Sequence, residues 1–165
     1  MPTPHHYSHH PDTRRQILAL VSFLAVIFLV AIFGAQFTPG DWYTQLNKPT
    51  WTPPDWVFPL VWPVLYIMIA IAGWQVWRRF GFVGARPAFY AYSLQLFLNA
   101  CWSWLFFGLQ NPLLGLFDIL ALLIMIGFNI RLFHRADPLA GWLLVPYWLW
   151  VLYAATLNSA IVILN

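Results

Sequence analysis

The sequence predicts an all-α integral membrane protein: a bundle of five transmembrane helices with a long loop rich in tryptophan and proline between the first and the second. Three observations carry this reading. Hydrophobic residues make up 61% of the chain and charged residues only 8%, with a mean hydropathy of +0.68, which is not the balance of a soluble domain. Apolar runs at about 17–37, 57–77, 87–107, 112–133 and 138–164 are each long enough, as a helix, to cross a hydrocarbon layer of roughly 30 Å. Finally, the basic residues cluster at the ends of these runs and almost all on one side.

Residues 1–16 read as a disordered tail carrying His5, His6, His9 and His10. They lack the flanking ligands of a zinc site, so no metal is expected there. Residues 17–165 form one polytopic domain. Its first run has no small-residue cleavage site behind it, which argues for a retained span over a signal peptide. Between the first and second runs, Lys48-Pro49, Thr52-Pro53-Pro54 and Phe58-Pro59 read as stiff extended turns, because proline removes donors and restricts its neighbour. Indole rings favour the lipid–water boundary, so this stretch is expected to lie as an aromatic cover across one end of the bundle.

Pro63 falls inside the second run and is expected to bend it, opening space beneath the cover. The later runs begin at Pro87, Pro112 and Pro138, each tolerated at a first helical position. Asn111 and Asp137 stand just ahead as capping side chains. Short linkers make consecutive helices antiparallel neighbours. Arg14, Arg15, Arg78, Arg79, Arg86, Arg131 and Arg135 then fall on one face and Lys48 on the other. That bias predicts a cytoplasmic N-terminus, with the Pro39–Asp55 loop and the C-terminus outside, in a bacterial inner (cell) membrane; the outer membrane is the alternative. Scattered arginines form no basic patch, so no nucleic-acid partner is expected. The lone Cys101 excludes an intrachain disulfide.

Polar residues inside spans are costly and turn inward. Gln95, Asn99, Trp102, Ser103 and Phe106 share one helical face of the third span, Trp62 and Tyr66 lie one turn apart in the second, and Trp150, Ala154 and Asn158 follow at single-turn spacing in the fifth. Asp118 is the only acid within any span and must face protein or water. Gln36, Trp62, Asn99, Trp102, Asp118, Trp150, Ala154 and Asn158 all fall in the middle or in the half nearest the loop, while the other half is almost purely apolar. This gathers aromatic and amide groups at one end, as a pocket for a large, flat, mostly apolar ligand requires. Singly, Asn99, Ser103 and Asn158 also suit interhelical hydrogen bonds. Trp42, Trp77, Trp142 and one of Trp148 or Trp104 suit interfacial anchoring.

Several spaced motifs resemble the tryptophan-rich sensory protein and translocator protein family (TspO/MBR). They are Pro39-Gly40, Trp42-Tyr43, Lys48-Pro49, Trp51, Pro53-Pro54, Trp56, Trp62, Leu65-Tyr66, Gln95-Leu96, Asn99, Trp102-Ser103, Phe106-Phe107, Asp118, Pro146-Tyr147, Trp150, Ala154 and Leu157-Asn158. The resemblance implies a five-helix membrane protein, commonly a homodimer, that binds porphyrins such as protoporphyrin IX, and in many members sterols or benzodiazepine-type ligands. Its pocket positions carry over to Tyr43, Pro54, Trp62, Asn99, Trp102, Trp150 and Ala154. The faces above add Tyr66, Gln95, Phe106 and Asn158 to the expected ligand-binding set, and the matched motif positions add Asp118 and Tyr147.

The resemblance also implies light- and oxygen-dependent porphyrin degradation as an alternative, with Trp62 and Trp150 as its reactive pair. A second alternative is proton-coupled transport of a small solute through Asp118. No hydrolytic triad, metal cluster or phosphate loop stands in the sequence, and no cofactor is required; the photosensitising ligand would carry any chemistry. One departure stands out: no basic residue follows Tyr153, so the C-terminal sterol motif is absent.

Overall fold

A computed structural model describes residues 11–165; the four tail histidines lie outside the described residues. Every element among the described residues is helical: α1 (Thr13–Ala35), α2 (Asp41–Gln45), α3 (Val57–Gly84), α4 (Arg86–Ser103) with a π-helical extension over Trp104–Gly108, α5 (Pro112–Ala136) and α6 (Pro138–Leu164). By length and composition, α1, α3, α5 and α6 suffice to cross a membrane. α4 is shorter and less apolar, because Arg86, Gln95 and Asn99 interrupt it.

Local chemistry sets the boundaries. Asp12 accepts a hydrogen bond from the Arg15 amide at 2.7 Å, so α1 starts at Thr13 and the expected tail ends earlier than residue 16. Asn111 and Asp137 cap α5 and α6 as the sequence predicts, accepting from the Leu114 and Leu139 amides at 3.0 and 2.9 Å. The stretch after α1 is not wholly extended: Gly40-Asp41 starts the short helix α2, an acid at its first position favouring the turn. α3 is longer than its predicted span. Its helical dihedrals break at Gly81, with φ 61°, a conformation suited to glycine, and not at Pro63.

The long helices close into a ring in the order α1, α3, α6, α5, α4 and back to α1. At the arginine-rich end the ring is filled solid. Phe23, Phe89, Tyr92 and Phe133 pack there, with Tyr92 and Phe133 stacked at 5.6 Å and the Tyr92 hydroxyl donating to the Ile69 carbonyl at 3.1 Å. Gly73 makes this approach possible, since a Cβ there would stand 2.8 Å from Phe23 and 2.9 Å from Tyr92. On the outside, Ile17, Leu18, Phe28 and Leu29 of α1, Phe97 of α4 and Ile124 of α5 are exposed. An apolar exterior of this extent belongs in lipid.

Candidate functional site

At the other end the ring does not fill. A cavity of about 1220 Å³ lies between α1, α3, the end of α4 and α6, beneath the segment that joins α1 to α3. Ligand pockets usually measure about 300–1,000 Å³. This one has room for a large molecule.

α3 lines it with Phe58, Trp62 and Tyr66, and α6 with Trp150, Ala154 and Asn158. α4 adds Asn99 and Trp102, and the π-helical turn adds Phe106 and Phe107. In that turn the Leu109 amide bonds to the Trp104 carbonyl at 2.8 Å, five residues back, and this wider winding puts consecutive phenylalanines on the cavity side. Trp62 and Tyr66 lie 5.2 Å apart and tilted, Trp102 stacks on Phe106 at 5.2 Å, and Phe58 meets Trp150 edge-on at 5.8 Å. Nine of the predicted residues thus line one cavity: Tyr43, Trp62, Tyr66, Asn99, Trp102, Phe106, Trp150, Ala154 and Asn158.

Four of the expected ligand-binding set do not line it, nor does Gln36, which the sequence places only toward the same end. Pro54 is exposed in the connecting segment, and Gln36 is exposed with its amide turned back to the Ile32 carbonyl. Gln95, Asp118 and Tyr147 are buried behind the wall. Sharing a helical face with Asn99 was not sufficient for Gln95, because that lower turn is buried inside the bundle.

The cavity's amides are already engaged. Tyr66 donates to Asn99 Oδ1 at 3.0 Å, and Asn99 Nδ2 donates to the Tyr147 hydroxyl at 3.0 Å. Trp102 Nε1 donates to Asn158 Oδ1 at 3.2 Å, while Asn158 Nδ2 donates to the Pro112 carbonyl at 2.8 Å. Asn99 and Asn158 therefore tie helices together and hold the aromatic rings. The indole N–H groups of Trp62 and Trp150 donate to no atom among the described residues.

Thr38, Pro39, Tyr43 and Asp55 close the end of the cavity. The Lys48 ammonium donates to the Tyr43 carbonyl at 2.8 Å and sits 4.4 Å from its ring centroid, while Tyr43 packs edge-on against Phe107 at 5.5 Å. Burial, and then the Asp55 carboxylate, push the Tyr43 phenol above its ordinary range, so it stays a neutral hydroxyl. The Tyr153 hydroxyl donates to the Trp51 carbonyl at 2.7 Å, and Asn47 exchanges backbone and side-chain hydrogen bonds with Asn165 at 2.9 and 3.1 Å. These bonds fasten the cover to the end of α6.

α1 supplies a wall that sequence reasoning missed. Val21, Leu24, Ala25, Phe28, Ala31 and Ala35 line the cavity, and several of them, with Pro63 and Ile67 of α3, are also exposed on the outside. The cavity is thus covered at its end and open sideways between α1 and α3. An uninterrupted apolar run carries no polar marker of an inner face. The 24, 28, 31, 35 spacing was the available signal.

An apolar-surfaced helix bundle with one large aromatic cavity near its end is the architecture of a membrane protein. The chain belongs to the TspO/MBR family, whose model matches residues 21–164. It is 41% identical to the tryptophan-rich protein TspO of Chlorobaculum tepidum over 158 residues, covering 92% of this chain and 98% of that one. It is 37% identical to the tryptophan-rich sensory protein of Cereibacter sphaeroides over 145 residues, or 88% and 90% of the two chains. Similarity extends to the translocator protein of Bos taurus, at 33% identity over 143 residues, 84% of this chain and 85% of that one.

Proposed function

We propose that this chain is a receptor or carrier for porphyrins, protoporphyrin IX foremost, with a sensory or regulatory role. The observation that supports it best is the pair Trp62 and Trp150, on α3 and α6, lining one cavity with unused indole N–H donors. A tetrapyrrole offers both what such walls accept: a flat π-surface for stacking and carboxylates for hydrogen bonds. Cavity size, apolar walls and a lateral opening toward lipid suit a ligand that partitions into membrane. Family membership favours the same class.

α4 serves as the fifth crossing in this reading, its amides facing inward and Phe97 and Tyr90 facing out. The arginine distribution orients the N-terminus to the cytoplasm of a bacterial cell membrane and the covered end outward. A homodimer is the proposed state, on the strength of the family. Sterol and benzodiazepine-type ligands are secondary candidates for the same walls.

Protoporphyrin IX titrated into protein in lipid nanodiscs is expected to quench tryptophan fluorescence saturably. Trp62→Phe and Trp150→Phe should each weaken binding about three- to tenfold, since each loses ring area and a donor. Unchanged affinity in both would refute the site. A second reading, photo-oxidative porphyrin breakdown, is favoured by the same two oxidisable indoles at the cavity. It requires protein-dependent loss of illuminated porphyrin to a defined product, slowed in both variants. The Asp118 transport reading gains no such support, because Asp118 stands off the cavity wall.

A further inference from the structure

Behind the cavity wall lies a second polar group that hydrogen bonding within the protein does not satisfy. Both amide atoms of Gln95 and Oδ2 of Asp118 are fully buried without a partner, and Asp118 makes no hydrogen bond to any described residue. Gln95 is 1% exposed and Asp118 8%. In a lipid-embedded bundle, buried polar groups left unpaired are expensive.

These residues converge. Asn129 of α5 donates to the Ala88 carbonyl of α4 at 3.1 Å, which fixes the register of this antiparallel pair. Eleven residues along each helix from that contact stand Asn99 and Asp118, so the two are level. Gln95 lies one turn below Asn99 on the same face of α4. Tyr147 of α6 reaches into this layer, accepting from Asn99 Nδ2 at 3.0 Å. The donor order is also informative. Tyr66 donates to Asn99 and Asn99 donates to Tyr147, so the Tyr147 phenol proton is left to donate and has no acceptor among the described residues.

We propose that Gln95, Tyr147 and Asp118 enclose a buried water site that continues the hydrogen-bond chain from the cavity-lining Tyr66 and Asn99 and ends on Asp118 as a neutral, proton-carrying acid. Water supplies both a donor for Gln95 Oε1 and Asp118 Oδ2 and an acceptor for Gln95 Nε2 and the Tyr147 hydroxyl. The acid is neutral because nothing nearby balances a charge. The titratable groups that face it are Cys101 of α4 and Tyr147 of α6, with Tyr66 of α3 and Tyr92 of α4 beyond Tyr147. No lysine, arginine or histidine stands in 57–77, 87–108, 112–130 or 138–164. The site gives the apolar cavity a hydrated floor through which a contact at Tyr66 is felt at Asp118.

Infrared spectroscopy of ligand-free protein in nanodiscs tests this apart from the porphyrin reading. Wild type at neutral pH is expected to show the carbonyl stretch of a protonated carboxylic acid that moves on transfer to D2O and vanishes in Asp118→Asn. In Gln95→Leu and Tyr147→Phe, each lacking one hydrogen-bonding member, the band should rise in frequency. Absence of a band assignable to Asp118 overturns the proposal, as does its indifference to both variants. On wild type alone, a band unmoved after long equilibration in D2O would show that water does not reach the site and would overturn it equally.

Discussion

Replacing Tyr153 by phenylalanine removes one oxygen atom and leaves the ring in place. That oxygen makes the shortest of the hydrogen bonds joining the 39–56 segment to α6, at 2.7 Å to the Trp51 carbonyl; the others, between Asn47 and the end of α6, measure 2.9 to 3.3 Å. A hydrogen bond contributes about 0.5–1.5 kcal/mol net, and one at an exposed position belongs in the lower part of that range. Losing about 0.5–1 kcal/mol from the closed cover multiplies its open population roughly two- to fivefold. Amide hydrogen exchange reads this without any ligand. The amides of Asn47, bonded to Asn165, and Thr52, bonded to the Pro49 carbonyl at 3.1 Å, should exchange faster by that factor in Tyr153→Phe. Buried amides of α6 such as Leu144 should keep their wild-type rates. Wild-type exchange at Asn47 and Thr52 would refute the claim that Tyr153 fastens the cover. A uniform rise through α6 would show that the hydroxyl supports the bundle instead.

Two further variants test the packing that leaves the cavity where it is. A Cβ on Gly141 would stand 2.6 Å from His134 Cβ and 2.8 Å from its backbone Cα, so Gly141→Ala should force α5 and α6 apart and cost about 1–3 kcal/mol. Gly127→Ala, whose nearest neighbour would be Trp148 Nε1 at 3.5 Å, should be neutral or stabilising by up to about 1 kcal/mol in denaturant titrations. The Arg79–Asp137 pair, at 3.1 Å, joins a half-exposed guanidinium to a carboxylate whose side chain is 3% exposed. Arg79→Gln strands that buried charge, whereas Asp137→Asn keeps an oxygen for the cap and returns Arg79 to solvent. Thermal midpoints should therefore fall further for Arg79→Gln than for Asp137→Asn, with the double variant recovering most of the loss; equal losses would contradict this asymmetry.

How much of this was legible in the sequence depends on whether a residue's role is local. Asn111-Pro112 and Asp137-Pro138 announce helix starts because capping needs only the next few amides, and both caps form as read. Helical spacing found Asn99, Trp102 and Phe106, since a polar or aromatic stripe on an apolar helix has one place to go. The same logic misplaced Gln95: a helical face is wide, and only the neighbouring helices decide which turn meets the cavity and which is sealed, as Tyr147, expected from the family motif, also is. Asp118 was rightly expected to avoid lipid, yet its distance from the cavity depends on α4–α5 register, which spacing cannot supply. Gly81 escaped notice because its positive φ serves the kink after Trp77, where the apolar pattern had already ended. The π-helical turn at Trp104–Gly108 has no periodicity of its own to announce it, and Phe106 and Phe107 within it pack against Tyr43.

The central claim is a porphyrin-sized cavity walled by Trp62 and Trp150 and covered by the 39–56 segment. A structure of the protein with protoporphyrin IX bound measures it most directly. The account predicts the macrocycle inside the ring of helices, within stacking distance of Trp62 or Trp150 and below Tyr43, with Asn99 and Asn158 still bonded to Tyr147 and Pro112. A macrocycle resting on the outer face of α1 or α4, with both tryptophans as they stand without it, would contradict the account.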